Sequence, residues 1–176
     1  SLYARLIPAG ARVLDIMSSW ISHLPDEIDF EKVTGLGMNR QELEANPRLN
    51  EHQVHNLNRD PRLPFPDDSF DAVVCAVSVE YLAHPLAVFR DIRRVLTSGG
   101  MFINAFSNRC FPTKSIALWA KLHEFERMGL VAHFYHHTGY SNVNTWSMRG
   151  SPTPAGDPYA GQPSEADPVY AVWASN

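Results

Sequence analysis

The sequence holds only two cysteines, Cys75 and Cys110, too few for a disulfide framework. Cys75 lies in an apolar run and reads as a small buried hydrophobe. No uninterrupted apolar stretch reaches the roughly 18 residues that a membrane span requires. Basic charge is scarce as well. The net charge of −4 over 176 residues excludes a broad nucleic-acid footprint, which needs a clustered basic face. The tightest basic group, Arg90, Arg93 and Arg94, falls on an expected helix and reads as a solvated face. No signal or transit peptide is recognisable, and the compartment stays open between cytoplasm and an organelle interior. No P-loop is present, and no G-x-G-x-x-G follows the first strand, which disfavours a dinucleotide oxidoreductase. His133 and His137 stand at i, i+4 spacing, yet no neighbouring cysteine or glutamate completes a metal site.

What is present is a soluble, globular pattern of one-domain length, 1–176. Short apolar runs rich in β-branched and aromatic residues predict strands at 12–16, 32–36, 53–55, 71–76 and 101–106. Leu86, Phe89, Ile92 and Leu96 recur at helical spacing and predict a helix over 85–96, with Pro85 in its first turn. Leu118, Trp119, Leu122 and Phe125 predict another helix over 113–128. Gly129 is expected to interrupt it before helix resumes over 130–137. Two late strands are expected at 143–148 and 169–174, separated by a long surface loop over 150–168.

Strands alternating with helices define an α/β, doubly wound, Rossmann-like sheet with helices on both faces. Ligands of such sheets bind beyond the carboxyl ends of the strands, near the switch in strand order. The residues there are Asp15 to Ser19, Gly37 to Asn39, Asn56 to Asn58, Val77 to Tyr81 and Ser107 to Cys110. The first of these bends raises a question. "VLDIMSSWIS" (13–22) runs from a buried strand into an aspartate and a sharp turn, but contains no glycine.

The segment "LPFPDDSFDAVVCAVSVEYLAHPLAVFRDIRRVLTSGG" (63–100) closely resembles the class I S-adenosylmethionine-dependent methyltransferases, type 11 branch. "ARVLDIMSSW" and "KVTGLGMNRQELEANP" fall where that family's first two motifs belong. Gly139-Tyr140 and Asp167-Pro168, each followed by a strand, look like its C-terminal pair. The resemblance implies a mostly parallel seven-stranded sheet with the last strand antiparallel, and a cofactor lying across the strand ends. It leaves open whether an N-terminal lid precedes Ser1. The implied cofactor is S-adenosylmethionine, leaving as S-adenosylhomocysteine.

Carried over residue by residue, the first motif places Asp15 at its acidic position and Met17, Ser19 and Ile21 at three glycine positions. Glycine serves there because bare backbone approaches a ligand and adopts positive φ. Ser18 and Ser19 suit the N-cap of a short following helix, whose free N–H groups could meet a carboxylate. Alternatively, Met17 and Trp20 plug the pocket. Gly37 stands where the family has a ribose-binding carboxylate, followed by Met38. Asn39 could offer an amide to the ribose, or cap a helix over 40–45 with Glu42. Asn56 and Leu57 occupy the adenine-recognition position, with Asn58 beside them. Asn56 could equally close an Asx-turn. Val77 would pass under the cofactor. Tyr81, Ser107, Asn108, Arg109 and Cys110 are the acceptor candidates, with packing or loop structure as the plainer reading of each. No general base is assigned.

Two functional classes follow. One is methyl transfer to a small-molecule acceptor. The other is an inactive protein of the same fold that binds protein partners in a larger assembly.

Overall fold

The computed structural model describes residues 1–148 and 167–176. Most of the loop expected at 150–168 lies outside the described residues. Seven strands form one sheet: β1 (Arg12–Ile16), β2 (Lys32–Gly37), β3 (Glu51–Val54), β4 (Phe70–Ala76), β5 (Leu96–Ser107), β6 (Ser141–Met148) and β7 (Val169–Ser175). Their order is β3-β2-β1-β4-β5-β7-β6. Every pairing that involves β7 is antiparallel and the remaining pairings are parallel. The order reverses between β1 and β4, so ligands are expected above the carboxyl ends of those strands.

Burial explains the strand sequences. Val13 to Ile16 and Val33 to Gly37 are buried on both faces, as parallel strands covered on both sides must be. One face carries Leu14, Ile16, Leu36, Val73, Cys75, Phe102 and Phe106. It is covered by α3 (Pro85–Val95) and α4 (Glu124–His137). Val88, Phe89, Ile92 and Val95 form the buried stripe of α3. Each such side chain contributes about 1.5–3 kcal/mol when fully buried. Phe89 meets Phe102, Phe134 and Tyr135 edge-on at 4.8–5.6 Å between ring centroids. The Tyr135 hydroxyl donates to the carbonyl of Phe102 at 2.9 Å and accepts from the Asn104 amide at 2.7 Å.

The opposite face is more lightly covered. Tyr3 and Ile7, in and just after α1 (Leu2–Leu6), pack with Val13, Val33, Val74 and Ile103. A helix expected after Ser18 and Ser19 is absent: residues 17–31 run as turns and irregular backbone. Neither serine therefore caps a helix there. Of the helix expected over 113–128, only 124–128 is helical. Amides of Lys114 and Ser115 bond back to the Phe111 carbonyl, and only a 3-10 turn forms at Trp119–Lys121. α4 instead begins at Glu124 and passes through Gly129, where an added Cβ would meet open space.

Arg94 is not solvated as expected. Its guanidinium binds Asp91 and Asp67 and the carbonyls of Leu63 and Phe65, pinning the loop before β4. Among the described residues, no helix is long and apolar enough to cross a membrane.

Candidate active site

Asp15 sits at the end of β1, buried. Its carboxylate accepts hydrogen bonds from the hydroxyls of Ser18, at 2.7 Å, and Ser22. Burial pushes its pKa above the usual carboxylate range, and the two hydroxyls oppose that shift. Ser22 was not singled out in the sequence, because a side chain seven residues on reaches Asp15 only through the irregular turn. Met17, at the first glycine position, takes φ of +56°. The fold thus retains the left-handed turn that glycine would adopt without strain. The Met17 side chain is half-buried and packs against the core.

The bend is fastened to its neighbours. The Ser18 amide donates to the Leu36 carbonyl at 2.9 Å. Ser19 donates to Glu42 at 2.6 Å, and Asn46 donates to the Ser19 carbonyl at 2.8 Å. Both latter partners belong to or follow α2 (Arg40–Ala45). Asn39 caps α2: its Oδ1 accepts from the Gln41 amide at 3.0 Å, and its Nδ2 donates to Glu42 at 2.7 Å. Glu42 therefore joins the two motifs through side chains 23 residues apart.

Gly37 explains why no carboxylate stands at the β2 tip. A Cβ there would approach the Ser18 carbonyl oxygen closer than 3.0 Å. The methyl side of Leu43 lies just behind it, at 3.2 Å. Met38, next in line, is 62% exposed. Trp20 is 51% exposed, and neither it nor the inward-packed Met17 lines the cleft at the β2 and β3 tips.

Beyond the tips of β2 and β3 an open cleft of about 670 Å³ is lined by Met38, Val54, His55, Asn56, Arg59 and Asp60. That volume falls in the range of small-molecule sites. Asn56 closes an Asx-turn, its Oδ1 accepting from the amides of Asn58, at 3.0 Å, and Arg59, at 3.3 Å. Its Nδ2 makes no hydrogen bond among the described residues. Leu57 is buried in the core. Asn58 donates to the Tyr81 carbonyl and accepts from the Ala83 amide, both at 2.8 Å, and so fastens the β3 loop to the segment after β4.

At the β4 tip Val77 has φ of +46° and is 41% exposed. For a β-branched residue that conformation is a true outlier. Glu80 is buried, with one carboxylate oxygen lacking a partner, and burial raises its pKa. The Tyr81 hydroxyl accepts from the Phe111 amide at 2.9 Å. Ser107 accepts from the Arg109 amide at 3.1 Å, and Arg109 pairs with Asp167. The carbonyl of Asn108 accepts from Arg127 at 3.4 Å, and Cys110 packs half-buried against the core. Of these five candidates, Ser107 lines a hollow of about 230 Å³ that also includes Tyr3, His23 and Val77, and Asn108 lines a separate open one of about 400 Å³ with His123, Glu124 and Arg127. His23 and Tyr3 were not singled out in the sequence, because α1 carries no motif and His23 lies beyond the first motif's last position, Ile21.

The seven-stranded order β3-β2-β1-β4-β5-β7-β6 with β7 antiparallel is a Rossmann-like methyltransferase fold. The comparisons agree. The methyltransferase domain family matches residues 18–104, consistent with the resemblance to the class I S-adenosylmethionine-dependent methyltransferases, type 11 branch. Demethylmenaquinone methyltransferases are similar in sequence. The one from Listeria welshimeri is 31% identical over 103 residues, covering 53% of this chain and 44% of that protein. The one from Staphylococcus haemolyticus is 28% identical over 104 residues, covering 55% and 44%. The matched stretch thus spans less than half of those relatives' length. Among solved structures, an S-adenosylmethionine-dependent methyltransferase from Mesorhizobium loti superposes with a TM-score of 0.67. It is 16% identical and covers 99% of this chain and 96% of its own. One from Archaeoglobus fulgidus gives 0.68 at 12% identity, covering 99% and 90%. At such identities the likeness is one of fold.

Proposed function

We propose that this chain transfers a methyl group from S-adenosylmethionine to a small-molecule acceptor. The observation that carries the reading is the open cleft at the β2 and β3 tips, with Met38 exposed as an apolar shelf. Bound there, S-adenosylmethionine would supply an activated methyl on its sulfonium, so that the protein mainly contributes alignment.

Met38 would carry one face of the adenine, and Asn56 Nδ2 would donate to a ring nitrogen. The backbone of Ser18 and Ser19 would border the methionine end, with Asp15 holding the turn from beneath. No carboxylate stands at the β2 tip for the ribose hydroxyls, where Gly37 lies. A charge-assisted hydrogen bond is worth about 1.5–3 kcal/mol, so cofactor affinity should be modest. The sequence relatives methylate a quinone precursor by name, which supports a small-molecule acceptor.

Calorimetry with S-adenosylhomocysteine tests the reading. Micromolar binding that weakens in Met38→Asp is expected. Silence at millimolar ligand would overturn it.

A further inference from the structure

Between β5 and α4 the chain turns apolar side chains outward. Phe111 is 65% exposed and Leu118 48%. No α-helix forms there to bury one side, only turns and the 3-10 turn at Trp119–Lys121. The stretch is moored from within at a few points. The Ile116 amide donates to the Glu80 carbonyl and the Phe111 amide to the Tyr81 hydroxyl, both at 2.9 Å. The buried Trp119 ring meets Phe106 edge-on at 5.2 Å. These anchors hold Phe111 and Leu118 on the outer side.

The same stretch is basic. Residues 107–123 hold Arg109, Lys114 and Lys121 and no acidic residue, in a chain whose net charge is −4. Arg109 pairs with Asp167. Neither Lys114 nor Lys121 pairs with an acid among the described residues. The Lys114 ammonium lies 5.2 Å from the centre of the Phe111 ring, so a free cation stands beside the exposed apolar surface. Phe125, also exposed, is flanked by Glu124 and Glu126 and stays outside this patch. The cores of protein–protein interfaces are depleted of lysine. A bilayer surface takes both kinds of side chain, apolar tips toward the acyl chains and lysine heads at the phosphates, on stems long enough to reach them.

We propose that the 107–123 surface docks on an anionic lipid bilayer. Phe111 and Leu118 enter the boundary between headgroups and acyl chains, and Lys114 and Lys121 meet the lipid phosphates. Ser107 ends β5 and lines the hollow beside Val77, so docking brings the strand tips near the lipid. The rest of the chain, net negative, is repelled by the same membrane, and this fixes the orientation. Docking of this kind does not depend on methyl transfer.

Cosedimentation of the whole chain with phosphatidylcholine vesicles, made with and without phosphatidylglycerol, is the test. Saturable binding to the anionic vesicles is expected, weaker by at least about tenfold on neutral vesicles and in high salt. Lys114→Gln with Lys121→Gln should weaken it about twentyfold, from about fivefold for each charge near the surface. Lys32→Gln, at the start of β2 and the opposite end of the sheet, should leave it unchanged. Phe111→Ser with Leu118→Ser should weaken it by more than about tenfold, with an unchanged circular dichroism spectrum because both side chains are already exposed.

No binding to anionic vesicles, equal binding to neutral ones, or no loss in either double variant overturns the proposal. So does a loss in Lys32→Gln as large as that in the double lysine variant. Self-association without vesicles that Phe111→Ser with Leu118→Ser abolishes would give the surface to a second copy of the chain, and overturns it too.

Discussion

The carbonyl oxygen of Ser18 occupies the space into which a side chain at Gly37 would grow. The present course of the first bend and a side chain at position 37 therefore exclude each other. Once the bend leans onto β2, no residue but glycine fits at position 37. Restoring the acid alone, as Gly37→Asp, should not tighten S-adenosylhomocysteine binding. It should destabilise the fold by about 1–3 kcal/mol, the usual cost of overpacking. Denaturant melts and calorimetry on the same variant check both halves. Tighter binding at unchanged stability would show that the bend swings clear.

Val77 carries backbone strain in a solvent-facing position. Left-handed backbone costs an L-residue roughly 1–2 kcal/mol, and asparagine tolerates it better. Val77→Asn should raise stability by about 1 kcal/mol, or about 2–4 °C in melting temperature for a chain of this size. Scanning calorimetry decides it; a lower melting temperature would mean that the valine's packing outweighs its strain.

Asp15 binds its proton more tightly in the folded protein than in the unfolded chain, because burial disfavours the charge. Its contribution to stability is therefore full below the ordinary carboxylate pKa of about 4, and is lost as pH rises through the higher folded value. Asp15→Asn has no such titration. The stability of the wild type relative to Asp15→Asn should fall as pH goes from about 4 to 7. Denaturant midpoints at three pH values across that window give the comparison, and a constant difference would refute it. Asp71 and Asp91, whose pKa values are lowered, titrate alike in both proteins and cancel.

Tyr135 organises buried polar groups far from the strand tips. Replacing it with phenylalanine leaves the Asn104 amide without its acceptor, since Asn104 Oδ1 already lacks a partner. Tyr135→Phe should cost about 1–3 kcal/mol and leave S-adenosylhomocysteine affinity unchanged. Paired melting and binding measurements test this, and a large loss of affinity would place the core network in the site.

The strands were legible wherever β-branched runs were bounded by turn residues, as at Val13 to Ile16 and Val73 to Ala76. The helix over 85–95 was legible because Phe89 and Ile92 keep its period. The segment around Leu118 and Phe125 also has helical spacing, but both are exposed while Trp119 between them is buried. There the spacing did not mark a core face. Helix begins only at Glu124, after Glu126 accepts from the His123 amide at 2.7 Å.

The sequence by itself determined where the strands fall along the chain, the mostly parallel sheet and the strand ends at which ligands of such sheets bind. Hydrophobic period and turn chemistry are local, and connection rules do the rest. Tertiary structure alone decided which polar groups at those ends are already occupied. Glu42 reaches Ser19, Asn58 reaches Tyr81 and Ser22 reaches Asp15 across the chain, and none of these distances is written in a neighbouring residue.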